Sequence, residues 1–223
     1  MSTSSMTLAK AAAVPEEAEG TRERLLAVAE RLFAEKGYSG VSLRALTAEA
    51  SVNLASVGYH FGSKDGLIAA IFERRCQPMM DERRRRLAAC AEGPDRPPLL
   101  EQIVEAFVAP AISAATDAAH GGTTFTRLRA VLRHENHELA KKLIARNFDD
   151  TSRQFIDALQ RCLPQLSRED VCWRFHFLLA ALYYTSVDHE RLRRLSDGRC
   201  DPTDAERAVR EMVRFVAAGF RAP

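Results

Sequence analysis

Residues 41–64, VSLRALTAEASVNLASVGYHFGSK, decide the fold that we expect for this chain. The hydroxyl oxygen of Ser42 is placed to cap a short amphipathic helix. The apolar residues of that helix recur at spacings of three and four, which is the pattern of a single buried face: Leu43, Leu46 and Ala50. We interpret this helix as the supporting helix of a helix-turn-helix motif.

A second helix follows a brief break at Ser51 and Val52. Asn53 is placed to cap it, and its inward face carries Val57 and Phe61. The opposite face carries small and apolar residues with one tyrosine: Leu54, Ala55, Gly58 and Tyr59. A glycine inside a helix costs about 1 kcal/mol relative to alanine, which is acceptable where nucleic acid or another backbone approaches closely. Two interpretations stay open here, a face that reads nucleic acid and a face that packs on another protein helix.

The segment that begins at Thr21, continues through LLAVAERLFAEKGYSGVSLRALTAEA and closes with YHFGSKDGL at residues 59–67 resembles the DNA-binding domain of the TetR family of transcriptional regulators. Within that family it is most similar to the subgroup that contains the fatty-acid-responsive regulator PsrA. Most members place an aromatic residue where Gly58 stands and a basic or polar residue where Leu54 stands. We therefore expect base readout by this chain to be poorer in hydrogen bonds than is usual in the family.

The side chains of the motif divide by chemistry. Groups suited to holding phosphates fix the register of the protein on DNA without reading sequence: Ser42, Tyr59, His60 and Lys64. Arg44 is suited to reaching a guanine or a groove edge, and Leu54 and Ala55 can meet thymine methyls. Asn53 and Ser56 can hydrogen-bond either bases or phosphates. Gly58 marks the closest approach to DNA, and a packing role for His60 stays open.

A chain of 223 residues exceeds one helix-turn-helix unit of about 50 residues, so we expect a second domain. The predicted organisation is a disordered tail over residues 1–20, a three-helix DNA-binding domain over residues 21–66, and a helical ligand-binding and dimerisation domain over residues 67–223. No strand pattern appears in the sequence, so the predicted fold is all-α.

The composition narrows the class of protein. Hydrophobic residues make up 46% of the chain, and no apolar run approaches the roughly 18 residues of a membrane span. A net charge of only +2 argues against a general polyanion binder, so DNA contact is expected from a local patch reinforced by dimerisation. Five cysteines without C-x-x-C spacing are typical of reduced thiols, which predicts a cytoplasmic location. We expect no cofactor.

Several helix boundaries follow from capping residues and prolines. The first helix is predicted to begin near Thr21, and Pro78 is predicted to kink or break the long helix that joins the two domains. Glycines and prolines over residues 93–98 indicate a loop. Asp201 is predicted to cap the last helix, with Pro202 at its first position.

Four consecutive arginines, at residues 83–86, follow Asp81 and Glu82. Consecutive helical residues span more than one face, so they cannot all meet one partner. We interpret the run as a solvated surface, paired in part with the two acids, in preference to a second DNA contact.

Two C-terminal helices have apolar faces wider than one small bundle buries. We expect each of them to pair with its counterpart in a second copy, giving a homodimer that reads a palindrome. The predicted interface residues are Phe177, Tyr184, Val209, Met212, Val213 and Val216.

The family resemblance implies that the remaining helices surround a small-molecule pocket, and that its occupant changes the spacing of the two DNA-reading helices. The candidate lining residues, each equally compatible with plain core, are Phe107, Phe125, Leu128, Arg129, Leu132, Phe148, Phe155, Phe175 and Leu179. Arg129, Arg133 and His134 are candidates for meeting an anionic head group. The resemblance and the apolar content favour a fatty acid or an acyl-CoA as the effector that releases a repressor from DNA.

Two other classes of protein remain as alternatives. An all-α interaction module would use the Leu54–Ala55–Gly58 face to receive another protein's helix. A metal-dependent helical enzyme would use four side chains with mixed spacing, His134, Glu135, His137 and Glu138. The metalloprotease pattern H-E-x-x-H is absent from the sequence, so this alternative is much the weaker.

Overall fold

The computed structural model describes residues 10–90, 99–117, 122–187 and 189–223. Every regular element in these ranges is a helix, and no strand occurs in them, which confirms the all-α prediction. The elements are α1 (Lys10–Lys36), α2 (Leu43–Glu49), α3 (Ala55–Phe61), α4 (Lys64–Cys90), α5 (Leu100–Thr116), α6 (Gly122–Glu135), α7 (His137–Ile144), a π-helical segment (Ala145–Asp149), α8 (Asp150–Cys162), α9 (Arg168–Val187), α10 (His189–Leu195) and α11 (Ala205–Arg221).

Helix α1 begins at Lys10 and not at the predicted Thr21. The added residues are rich in alanine and glutamate, which are strong helix formers, so the helix extends upstream. Residues 1–9 of the predicted tail, like the predicted loop over residues 93–98, lie outside the described residues. Helix α1 ends as predicted, because Gly37 adopts a φ of +79° and its N–H donates to the Phe33 oxygen at 3.1 Å.

One compact unit, the N-terminal unit, comprises Met1–Glu73 and Leu128–Ala140. Within it α1 packs on both α2 and α3. The buried side chains that hold these helices together are Leu25, Leu26, Leu32, Phe33, Leu46, Val57, Leu67, Ile68, Ile71 and Phe72. The unit is larger than the predicted domain over residues 21–66, because it also takes in the start of α4 and Leu128–Ala140.

The second compact unit, the C-terminal unit, comprises Arg74–Arg127 and Lys141–Pro223. Its central helix is α5, which packs against α8, α9 and α11. The ring of Phe107 on α5 meets Phe155 and Phe175 edge to face, with centroids 4.9 and 5.0 Å apart. Burial of each such ring stabilises the fold by about 1.5–3 kcal/mol.

Pro78 and Pro110 lie inside α4 and α5, and both helices continue through them. The predicted break at Pro78 is therefore wrong. A proline in a helix interior costs about 3 kcal/mol, but Cys76 and Met80 on either side of Pro78 are buried, and their packing holds the helix together.

The arginine run is not the uniform solvated surface that the sequence predicts. Arg83 is only 3% exposed, and Arg84 donates to the hydroxyl of buried Thr151 at 3.0 Å. Arg85 and Arg86 pair with Glu82 as expected, at 2.6 and 2.5 Å. The prediction thus fails for Arg83, because α5 packs over that side of α4.

The cap of the last helix is also displaced. Asp204, not Asp201, accepts a backbone N–H at the start of α11, from Arg207 at 2.9 Å. Asp201 is occupied by the N–H and the hydroxyl of Thr203, at 2.9 and 2.7 Å. Helix α9 is capped by Ser167, whose hydroxyl accepts the N–H of Asp170 at 3.1 Å.

Candidate nucleic-acid interface

Helices α2 and α3 form a helix-turn-helix in which a side-chain cap fixes the start of α2. Ser42 accepts the N–H of Ala45 at 3.1 Å, which confirms it as the cap of α2. The break between the helices turns at Ser51, which has a φ of +54°. Asn53 accepts the N–H of Ala55 at 2.9 Å. The N-cap of α3 is Leu54, which makes no side-chain cap hydrogen bond, so the prediction that Asn53 caps this helix is wrong. The amide nitrogen of Asn53 is left for an outside acceptor.

The outer face of α3 is bare. Tyr59 is 82% exposed and Leu54 is 43% exposed. A Cβ added to Gly58 would meet nothing within 4 Å, so the fold itself does not require glycine there. Val57 is buried, as its inward position predicts.

This face borders an open groove of about 660 Å³ between α2 and α3. It brings together six of the ten residues that the sequence singles out: Ser42, Arg44, Asn53, Leu54, Ala55 and Gly58. Leu43, Val57 and Gly62 also line it. Gly62 was not predicted as part of the site, although its position in the break after α3 and its φ of +73° place its backbone at the surface.

Three further predicted residues lie beside the groove. Tyr59 and His60 meet edge to face at 4.9 Å, and His60 also contacts the Phe61 ring at 5.9 Å. His60 is half-buried between two aromatic neighbours, so a packing role and a phosphate contact both stay open for it. Ser56 is half-buried on α3.

Lys64 does not point toward the groove. Its ammonium donates to the backbone oxygen of Tyr38 and lies 4.3 Å from the centroid of the Tyr38 ring and 5.6 Å from that of Phe33. Burial lowers the pKa of Lys64, against the opposing effect of the Glu135 and Asp65 carboxylates. In this structure the ammonium holds the turn before α2, and the phosphate contact of Lys64 stays a prediction.

The charge of this region is balanced, with six basic and six acidic side chains between residues 21 and 73. Arg31 is paired with Glu35 and Glu49. Arg44 is exposed and is the only cation among the residues that line the groove. A balanced charge gives this region little long-range attraction for a polyanion.

Comparison with known proteins identifies the family. The family described as "Bacterial regulatory proteins, tetR family" matches residues 25–71, and "Tetracyclin repressor-like, C-terminal domain" matches residues 105–219, more than half of the chain. The chain belongs to the TetR family. Its two matched regions fall in the order that the sequence predicts, with the regulatory-protein domain before the repressor-like C-terminal domain.

Relatives of this TetR-family regulator include the HTH-type transcriptional regulator UidR of Escherichia coli (strain K12), which is 29% identical over 92 residues, 41% of this chain and 43% of UidR. The chain spans less than half the length of the curated relatives that it matches. Among solved structures, the fatty acid degradation regulator FadR from Bacillus halodurans has a TM-score of 0.61 at 16% identity, over 91% of this chain and 97% of that one. FadR from Bacillus subtilis, in complex with stearoyl-CoA, has a TM-score of 0.59 at 14% identity, over 88% and 98%. At these identities the structural likeness shows only a shared fold. The matches do not confirm the predicted PsrA-like subgroup.

The predicted pocket residues of this TetR-family chain are mostly interior. Six are buried side chains: Phe107, Phe125, Leu128, Leu132, Phe155 and Phe175. Arg129 and Phe148 are half-buried. Leu179 is 38% exposed on the outer side of α9, so it does not line an internal pocket.

The predicted dimer residues divide between two faces. Phe177 and Tyr184 are exposed on α9, together with Trp173, and Phe215 on α11 is 72% exposed. Met212, Val213 and Val216 are buried in the core of the C-terminal unit, and Val209 is partly buried against it. The prediction for α11 is therefore corrected, because its apolar stripe packs on α5 and leaves Phe215 outside.

The competing metal site is not assembled. Within the part of the chain that the structure describes, no group of three or more His, Cys, Asp or Glu side chains is placed to hold a metal ion. Glu135, one of its proposed ligands, accepts the N–H of Ser39 instead.

Among the residues that the structure describes, no helix is long and apolar enough to cross a membrane.

Proposed function

We propose that this chain is a cytoplasmic repressor that binds palindromic operator DNA as a homodimer and is released by an amphipathic effector with an acyl chain. The observation that carries the DNA-binding part is the groove between α2 and α3. It gathers a guanidinium, an amide, a capped helix start and small residues on one open surface. A guanidinium and an amide hydrogen-bond base edges, and helix N-termini hold phosphates.

The dimer is supported by the exposed apolar surface of the C-terminal unit. Trp173, Phe177 and Tyr184 lie along α9 with Phe215 beside them on α11. Grooves of about 880 and 400 Å³ flank Phe215, and both are lined mainly by apolar residues. A surface that offers projecting rings and grooves together suits a two-fold contact, in which each copy places its rings in the grooves of the other.

The acyl effector is supported by chemistry and by likeness. FadR of Bacillus subtilis shares the fold and was solved with stearoyl-CoA. The C-terminal unit has an aromatic core around Phe107. Apolar surroundings of this kind suit an acyl chain.

The DNA-binding proposal is tested by selecting bound sequences from random DNA and measuring affinity by fluorescence anisotropy. A palindromic consensus is expected, and Arg44→Ala should weaken binding about tenfold and relax the preference at one position of each half-site. Arg24→Ala, at an exposed arginine on α1, is the matched control and should bind as the wild type does. Failure to enrich any sequence would reject the proposal and favour a protein-interaction module.

The effector proposal is tested by thermal unfolding with stearoyl-CoA, stearate and CoA alone. An acyl ligand that binds the folded state raises the melting temperature by mass action. Stearoyl-CoA should raise it more than CoA and should reduce DNA affinity. No shift with acyl chains of any length would remove this effector class.

A further inference from the structure

The last residue of α6 touches the turn that leads into α2. The Glu135 carboxylate accepts the backbone N–H of Ser39 at 2.9 Å. The same carboxylate lies directly on Gly37, where an added Cβ would stand 2.0 Å from Glu135 Oε1. These residues all belong to the N-terminal unit.

The contact needs both the glycine and the carboxylate. Gly37 has a φ of +79°, which side chains other than glycine rarely adopt, and it is buried. A Cβ at Gly37 would displace the Glu135 carboxylate, which is the end of a flexible, exposed side chain. The turn is therefore matched to Glu135 by its backbone conformation and by the Ser39 hydrogen bond.

The turn over residues 37–39 is tied to the other side of the motif as well. The Lys64 ammonium donates to the Tyr38 oxygen, and the Tyr38 hydroxyl donates to Asp65 at 2.5 Å. Lys64 and Asp65 begin α4, immediately after the break that follows α3. The turn thus joins three points, the end of α6, the start of α4 and the entry to α2.

We propose that Glu135 is a positioning residue for DNA binding, which fixes the turn before α2 and through it the groove that Ser42 and Arg44 line. Glu135 itself does not contact DNA. The inference rests on the proposed DNA-binding function of that groove. This role differs from the metal-ligand role that the alternative interpretation gives to Glu135.

The expected effect of losing the contact follows from its chemistry. A hydrogen bond to a charged acceptor holds the Ser39 N–H, and without it the turn can sample other conformations. The start of α2 would then occupy the DNA-binding position for only part of the time, and affinity would fall by that fraction.

The test compares Glu135→Ala, Glu135→Gln and Glu135→Asp in the full chain. Glu135→Ala is expected to lower affinity for the selected DNA about tenfold and to speed amide hydrogen exchange at Ser39. Glu135→Gln keeps an oxygen acceptor and should restore most of both. Glu135→Asp keeps the charge but is one methylene too short, so it should behave as Glu135→Ala does, and it serves if the alanine variant fails to fold.

Glu138→Ala is the matched control, because Glu138 is an exposed carboxylate only three residues away. It should leave both DNA affinity and Ser39 exchange unchanged. If Glu135→Ala and Glu135→Asp bind DNA within a factor of about two of the wild type, or if Glu135→Gln loses as much as they do, the positioning role is rejected. A wild-type protein that binds no DNA rejects the proposed function instead, while Ser39 exchange in the variants still reports on the contact.

Discussion

The guanidinium group of Arg83 lies 3.7 Å from the centroid of the Phe107 ring, and Arg83 Nε donates to the Phe107 backbone oxygen at 2.8 Å. Both residues are almost wholly buried. A buried cation is tolerated only where rings and hydrogen-bond acceptors replace its water shell. The pair therefore fastens α4 to α5 inside the C-terminal unit.

Arg83→Ala should lower the free energy of unfolding by about 3 kcal/mol, because it removes a desolvated stacking partner and leaves a cavity. Arg85→Ala is the matched control. Its side chain is exposed and paired with Glu82 on the surface, so its loss should cost less than about 1 kcal/mol. Urea titration of both variants measures the difference, and equal costs would contradict the structural assignment.

The difference between Arg83 and Arg85 illustrates what the sequence cannot specify. Four identical residues in a row carry no signal about which one faces the core, because that depends on where α5 packs. The caps at Ser42 and Ser167 were predictable, since each is decided within three residues. Local chemistry decides such features, and tertiary packing decides the rest.

Helix α11 makes the same point about surfaces. Its stripe Val209, Met212, Val213 and Val216 has the spacing of one helical face, and a core face and a dimer face look alike in sequence. The structure places this stripe against α5 and leaves Phe215 outside. Similarly, Lys64 matches a DNA-contact position in sequence, but only the folded turn reveals that its ammonium donates to the backbone oxygen of Tyr38.

The Gly58→Ala variant tests whether glycine at this position serves folding or DNA binding, because the two roles predict different effects on stability and on DNA affinity. An added Cβ meets nothing in the protein, so alanine should raise the free energy of unfolding by about 0.5–1 kcal/mol through its better helix propensity. If DNA approaches the helix closely at this point, the same variant binds the selected DNA more weakly. Thermal unfolding and anisotropy on one preparation give both values.

Gly198 and Gly62 are unsuitable controls for Gly58, because both have positive φ. Gly20 is the better control, since it lies in α1 and its Cβ position is also open. Gly20→Ala should stabilise the protein without a direct effect on base preference. An unchanged base preference and undiminished affinity in Gly58→Ala would show that DNA does not come close there.

The Tyr38 hydroxyl should lose its proton at a higher pH than an ordinary tyrosine. Its hydrogen bond to Asp65, together with burial, raises the pKa of Tyr38 to about 12. Because the folded-state pKa is raised, the stabilisation is fully present below the unfolded value near pH 10 and is lost as the pH rises through about 12. Ultraviolet titration of tyrosinate should show a late step that Tyr38→Phe removes.

Tyr59→Phe is the control for that titration, since Tyr59 is an exposed tyrosine on the same unit. It should leave the late step in place. The stability advantage of the wild type over Tyr38→Phe should also shrink between pH 10 and pH 12. A late step that survives in Tyr38→Phe would assign it to another tyrosine and refute the Asp65 contact.

Phe215 is expected to be the main contact of the dimer on α11. The ring is exposed and flanked by two grooves, so Phe215→Ala should weaken the dimer about 100-fold, as truncation of a buried aromatic contact does. The melting temperature of the monomer should change little. Val213→Ala, in the buried stripe of the same helix, should do the opposite, lowering stability by about 1–3 kcal/mol with little effect on the dimer constant.

Sedimentation equilibrium over a range of protein concentrations separates these two outcomes, and Arg210→Ala controls for removal of a long exposed side chain from α11. Because two half-sites are read together, the Phe215→Ala protein should also lose affinity for the full palindrome while keeping its affinity for a single half-site. If Val213→Ala weakens the dimer and Phe215→Ala does not, the interface lies on the face of α11 that the structure buries. If the wild-type protein is monomeric at micromolar concentration, the homodimer proposal is rejected.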